Sequence, residues 1–151
     1  MSVEIWKKMK DLGWKDEYSV GMPALDIQHR HIFDCFVTIA AGSTEHDGLR
    51  AEFAFSKLVG LLQEHFLLEE SMMRAFSYPE LEPHIEEHRQ FHSDVRELAQ
   101  RSIRTKGGVS RETIKVAQKW LREHIATSDR DYMTFFSNPA HKSGGNKPGS
   151  G

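Results

Sequence analysis

The stretch Leu62–His88, LQEHFLLEESMMRAFSYPELEPHIEEH, carries two pairings at a spacing of four: His65 with Glu69, and His84 with His88. Four residues of α-helix advance about 400°, so each pair stacks on one helix face, one turn apart. Two imidazole nitrogens, or an imidazole and a carboxylate, held in that way can reach one cation together. Ser77-Tyr78-Pro79 between the pairs is a turn signal. The two pairs therefore fall on two adjacent antiparallel helices that face each other, and the stretch predicts a metal site between helices.

Working outward, the periodicity predicts a first helix over about 24–41, with Leu25, Ile32, Phe33, Phe36 and Ile39 at helical spacing, ended by Gly42-Ser43-Thr44. A second helix is expected over about 48–75, through Phe53, Phe55, Leu58, Leu61, Leu62 and Phe66. Ser77 and Glu80 have capping-box spacing and Pro79 suits a first turn, so a third helix is expected to start there and continue to about Ile103. Lys106-Gly107-Gly108 makes the next turn, and a fourth helix is expected over about 111–136. Residues 1–22 read as an irregular arm that holds Trp6, Trp14 and Tyr18 among the breakers Gly13, Gly21 and Pro23, its aromatics anchoring it across the helices. The Gly-rich end, 138–151, reads as a disordered tail. Without strand-like alternation or an internal repeat, the fold class is all-α: an up-down-up-down antiparallel four-helix bundle over 23–137, preceded by the N-terminal arm.

Composition agrees. At 151 residues, with 28% charged and 38% hydrophobic residues, the chain suits one soluble helical domain. A net charge of −2 argues against nucleic acid or an anionic membrane surface as the main partner. Cys35 has no cysteine to pair with in the chain, so a reducing compartment is comfortable, and no apolar run approaches a bilayer span. The expectation is a cytoplasmic protein, or one module of a larger one, with no membrane insertion.

Each of the four helices offers a ligand-type residue that could point inward: His29 on the first, His65 and Glu69 on the second, His84 and His88 on the third, His124 and Asp129 on the fourth. One histidine on a helix face is ordinarily a surface or satisfied core residue, and one HxxxH is a weak signal. The joint pattern over four helices is what carries weight. Five imidazoles and two carboxylates exceed the roughly four ligands of one tetrahedral zinc and suit two six-coordinate ions that share bridging carboxylates. The donor set favours iron, zinc or copper over calcium or magnesium. His31 lies about 200° around the helix from His29 and should face away, while His46 falls in a loop and His141 in the tail. His92 extends the His84–His88 row by a turn and stays open. Five residues advance about 500°, which would leave His124 and Asp129 about 140° apart on a regular helix. A single π-type turn between them is expected to bring both to one metal pair; the alternative is a regular helix with the metal pair off its axis and Asp129 reaching it from the side.

The segments Trp14…Tyr18-Ser19-Val20-Gly21…Asp26-Ile27-Gln28-His29, His65-Phe66…Glu69-Glu70…Met73, Tyr78-Pro79…His84…His88…Phe91 and Trp120-Leu121…His124-Ile125…Asp129…Tyr132 closely resemble the hemerythrin family, its bacterial single-domain oxygen-binding members above all. The resemblance spans about Trp14 to Phe136, with departures in the residues before Trp14 and in the tail. It implies two iron ions in a non-haem di-iron centre with an oxo or hydroxo bridge. His84, His88 and His124 would bind one iron, His29 and His65 the other, and Glu69 and Asp129 would bridge them. The second iron would keep an open position at which dioxygen binds reversibly. Leu121 would overhang that position. Ile32, Phe66, Trp120, Leu121 and Ile125 would line the pocket and hinder escape of superoxide and entry of protons or anions.

Two functional classes follow: a reversible dioxygen binder used as carrier, store or sensor, and a di-iron redox enzyme such as a ferroxidase or oxygenase. Ferritin-like enzymes use carboxylate-rich sets with Glu-x-x-His, which this chain lacks, and five neutral imidazoles stabilise high-valent iron less than carboxylates would. Binding without catalysis is therefore the expected role. A sensor would require an output domain or a protein partner, and the residues identify neither.

Overall fold

The computed structural model describes residues 3–44 and 47–142. Among the described residues there is no strand. The elements are α1 (Val3–Lys10), a 3-10 turn (Asp16–Tyr18), α2 (Pro23–Thr44), α3 (Gly48–Ala75), α4 (Leu81–Arg104), α5 (Arg111–His124), a π-helical turn (Ile125–Asp129), α6 (Arg130–Ser137) and α7 (Pro139–Lys142). The π-turn joins α5 and α6 into the fourth rod of an antiparallel four-helix bundle, in which α2 packs on α3, α3 on α4, and α2 on α5.

Local chemistry sets most of the boundaries. Asp47 caps α3 by accepting from the Arg50 amide at 3.2 Å, and Ser110 caps α5 by accepting from Thr113 at 3.2 Å. Ser77 does not cap α4. Its φ of 53° and the bonds Ser77 N→Arg74 O (3.1 Å) and Tyr78 N→Met73 O (2.9 Å) make it the left-handed residue that closes α3. The proline in the first turn of α4 is Pro83, not Pro79, and α4 has no side-chain cap. Likewise Gly42 does not end α2, which continues to Thr44. A Cβ on Gly42 would stand 2.9 Å from the Ala51 amide nitrogen, so this glycine permits close approach of α3.

The arm is less irregular than its breakers suggest, since Val3–Lys10 is a helix. Met9, Leu12 and Tyr18 are buried in the bundle core. Gln118 donates to the Leu12 carbonyl at 3.5 Å, Arg130 to that of Glu17 at 2.6 Å, and Asp26 accepts from both Ser19 and Val20. The side chains of Trp6 and His141, and His46 altogether, lie outside the described residues. So does 143–151, the greater part of the expected tail.

The apolar interior forms two clusters. The larger includes Ile32, Phe33, Phe36, Leu58, Leu62, Phe66, Phe91, Leu121 and Ile125. The smaller comprises Leu25, Met73, Tyr132 and Phe136. Between them lies a layer of buried polar side chains: His29 on α2, His65 and Glu69 on α3, His84 and His88 on α4, and His124 and Asp129 on the fourth rod.

Candidate metal centre

The seven residues of that layer form two overlapping donor sets. Glu69, His84, His88, His124 and Asp129 place one ligand atom each within 4.8 Å of one another, and so do His29, His65, Glu69 and Asp129. The two sets share both carboxylates. Glu69 turns Oε1 toward His65 Nε2 (2.6 Å) and His29 Nε2 (3.8 Å), and Oε2 toward His88 Nε2 (3.2 Å) and His84 Nε2 (3.7 Å). Asp129 turns Oδ2 toward His29 Nε2 (3.7 Å), and Oδ1 toward His124 Nε2 (3.0 Å) and His84 Nε2 (3.3 Å). Each carboxylate thus splits its oxygens between a three-imidazole half and a two-imidazole half. The π-turn allows it: the extra residue between His124 and Asp129 brings both side chains to the inward face.

Three of the five imidazoles are held from behind. Gln28 Oε1 stands 2.7 Å from His65 Nδ1, Glu70 Oε1 3.0 Å from His88 Nδ1, and Glu87 Oε2 2.7 Å from His124 Nδ1. Each acceptor lies on the helix before that of its histidine: α2 serves α3, α3 serves α4, and α4 serves α5. Ser128 donates to the same Glu87 oxygen at 2.9 Å. An amide or carboxylate oxygen only accepts, so Nδ1 carries the proton and Nε2 presents its lone pair inward.

The inward Nε2 atoms meet one another, and without a cation one of each pair has to carry a proton. His29 Nε2 is 2.8 Å from His65 Nε2, and His88 Nε2 is 3.2 Å from His124 Nε2. Both oxygens of Glu69, both of Asp129 and His84 Nε2 are buried without a hydrogen-bond partner. Burial pulls His65, His84 and His124 toward the neutral form, but the carboxylates prevail: Glu69 chiefly raises His65, Asp129 raises His124, and the two together push His84 up to about 9. Burial likewise opposes the charge on Glu69 and Asp129, and Glu69 opposes that on Asp129. The facing imidazoles nevertheless hold both carboxyls below their ordinary range, Glu69 well below it. Without a cation the layer must collect protons to bind itself together; with cations the same atoms are ligands. These donors therefore fit a pair of metal ions.

Aromatic and aliphatic side chains close the layer. Phe66 stacks on His88 at 3.8 Å between ring centroids, Trp120 on His124 at 4.9 Å, and Trp14 from the arm on His29 at 6.3 Å. Ile32, Phe66, Leu121 and Ile125 are buried, and Trp120 packs half-buried against the same cluster. Tyr132 is fully buried at 5.4 Å from the His84 ring, its hydroxyl without a hydrogen-bond partner. Burial, and next the charges of Glu69 and Asp129, push its phenol above the usual value.

Two other histidines stay outside. His31 is exposed, and His92, half-buried, meets the Val59 carbonyl at 3.3 Å instead of the cluster. Gln28, Glu70, Glu87 and Ser128 had no assigned role in the sequence reading. The first three each sit next in sequence to an inward donor but serve a histidine on the following helix.

The chain is similar to known proteins over this arrangement of helices. The profile of the Hemerythrin HHE cation binding domain matches residues 20–136. Myohemerythrin of Theromyzon tessulatum is 32% identical over 119 residues, 79% of this chain and 88% of the relative. Bacteriohemerythrin of Stenotrophomonas maltophilia is 26% identical over 123 residues, 80% of this chain and 78% of the relative. A crystal structure of a hemerythrin mutant superimposes with a TM-score of 0.75 at 21% identity, over 83% of this chain and 96% of that one, which supports the bundle fold.

Proposed function

The chain belongs to the hemerythrin family, and from that premise we propose that it binds dioxygen reversibly at a non-haem di-iron centre, as a carrier, store or sensing module and not as an enzyme. In this reading His84, His88 and His124 hold one iron, His29 and His65 hold the other, and Glu69 and Asp129 bridge them. The supporting observation is the split of each shared carboxylate, one oxygen toward each half of the donor layer.

Such an iron pair, when bound, supplies a Lewis-acidic centre that can lend two electrons to dioxygen and take them back. The chain's own residues supply the rest. Gln28, Glu70 and Glu87 keep the Nε2 lone pairs of His65, His88 and His124 aimed inward. Unequal ligand numbers, three imidazoles against two, leave room for a small ligand on the His29–His65 side. Ile32, Phe66, Trp120, Leu121 and Ile125 surround the donor layer with hydrocarbon and ring carbon, so a neutral gas would enter more readily than water or an anion. None of these five pocket side chains is an acid or base that could drive cleavage of the O–O bond, which supports binding over turnover. No helix among the described residues is long and apolar enough to cross a membrane.

Oxygen-uptake stoichiometry tests the reading. The fully reduced, iron-loaded chain should take up about one dioxygen per two irons and return it when the gas phase is evacuated. Uptake that continues catalytically in the presence of excess reductant would contradict it.

A further inference from the structure

The three acceptors behind the imidazoles differ in charge. His88 and His124, both in the three-imidazole half, are backed by carboxylates: Glu70 at 3.0 Å and Glu87 at 2.7 Å. His65, in the two-imidazole half, is backed by the neutral amide of Gln28 at 2.7 Å. His29, the other member of that half, has its Nδ1 buried without a hydrogen-bond partner. The halves thus share the same two bridging carboxylates and differ in what stands behind their rings.

A hydrogen bond from Nδ1–H to a carboxylate is charge-assisted, about twice as strong as one to a neutral amide. It shifts electron density toward Nε2 and makes the imidazole a stronger base toward a metal. The gain grows with the charge of the ion, so it favours a trivalent ion over a divalent one.

We infer that Glu70 and Glu87 are positioning residues that separate the two halves of the centre in redox preference. The three-imidazole half, backed by anions, stabilises the oxidised ion; the two-imidazole half, backed by Gln28, keeps its ion reduced, as a site that must give up electrons only to its gas ligand requires. The inference rests on the di-iron reading. In the simplest redox step one ferrous ion gives one electron to a one-electron outer-sphere oxidant of the ferricyanide type, which becomes ferrocyanide, and no ligand bond is made or broken. That first electron leaves the half containing His88 and His124.

The test is potentiometric titration of the iron-loaded chain with ferricyanide, followed optically, in the unmodified protein and in Glu87→Gln, Glu70→Gln and Gln28→Glu. Glutamine can still accept from Nδ1–H, so a role confined to ring orientation would leave both potentials unmoved. Removal of the charge should instead raise the first oxidation potential by the equivalent of about a tenfold weaker hold on the ferric ion, about 59 mV for one electron. The second potential should move less. Gln28→Glu should lower the second potential more than the first. Ser128→Ala, which removes a competing donor from the Glu87 oxygen and leaves its charge in place, should shift the first potential slightly in the direction opposite to Glu87→Gln. Unmoved potentials in both Glu→Gln variants, or a larger shift in the second step than in the first, would overturn the inference while leaving the iron pair in place. An unmodified chain that holds fewer than two irons would defeat the di-iron reading and the inference with it.

Discussion

Glu69 and Asp129 are buried carboxylates with no hydrogen-bond partner, and in the metal-free chain they draw protons onto the surrounding rings. With burial opposing, the facing Asp129 and Glu69 carboxylates push His84 up to about 9. A protonated imidazole has no lone pair to give, so an entering cation must expel that proton. Apparent metal affinity should therefore rise with pH up to about 9, then level off. Zinc calorimetry in two buffers of different ionisation enthalpy should show proton release on binding, and a flat affinity over this range would contradict the assignment. Leu121 offers a second check at this scale. Leu121 and Leu58 are both fully buried, and truncation of either to alanine should cost about 2–5 kcal/mol. If Leu121 also guards the open iron position, Leu121→Ala should speed autoxidation and anion binding well beyond Leu58→Ala. Equal autoxidation at matched stability would reduce Leu121 to packing. Four of the seven inward donors are legible in the sequence because His65 to Glu69 and His84 to His88 repeat at one helical turn, and His29, His124 and Asp129 only through the joint pattern over four helices. Gln28, Glu70 and Glu87 are not, because each is about 100° away from its inward neighbour and serves a histidine on the next helix. No spacing within a single helix reveals that relation.

Among the elements, the fourth rod is the most informative. The five-residue separation of His124 and Asp129 would leave the two side chains about 140° apart on a regular α-helix, and the structure has a π-turn over Ile125–Asp129 instead. A π-turn of this kind amounts to one inserted residue. Deletion of the exposed Ala126 should restore α-helical register and leave His124 and Asp129 on the same face, so two-metal stoichiometry should survive. Deletion of the exposed Val116, on the regular part of the same rod, should rotate its upstream turn, with the buried Ile114, about 100° out of the core and lower stability while leaving His124 and Asp129 in register. Metal analysis of both variants decides, and loss of metal in the Ala126 deletion alone would mean that the π-turn shapes the site in a further way. The helix ends were read less well. Ser77 with Glu80 has the spacing of an N-terminal capping box, but Ser77 adopts a left-handed conformation and closes the preceding helix. A serine suits both tasks, and only the backbone conformation separates them. Gly42 misled in the same way: its missing side chain serves the approach of α3 to α2, a contact between elements that local sequence does not encode.

At the scale of the whole molecule, the ligand layer lies between a large apolar cluster containing Ile32, Phe66 and Leu121 and a smaller one built on Leu25, Met73 and Tyr132. Every rod passes through all three levels, so each helix contributes to both clusters and to the layer between them. The bundle itself was readable from helical periodicity and short turns. The course of the arm was not, because Trp14 stacked on His29 and Gln118 bonded to Leu12 are tertiary contacts. Burying five imidazoles and two carboxylates is costly without cations, so metal binding and folding should be strongly coupled. Chelation of the iron should lower the thermal unfolding midpoint measured by calorimetry, and reloading should restore it; an unchanged midpoint would mean that the layer is satisfied by protons alone. The most direct measurement is the optical spectrum of the anaerobically reduced protein with two irons per chain, recorded before air is admitted, after, and again once oxygen is removed. Reversible dioxygen binding predicts a charge-transfer band that appears with oxygen and vanishes on its removal through repeated cycles. A band that never forms, or one that forms once and leaves permanently oxidised iron, would contradict it.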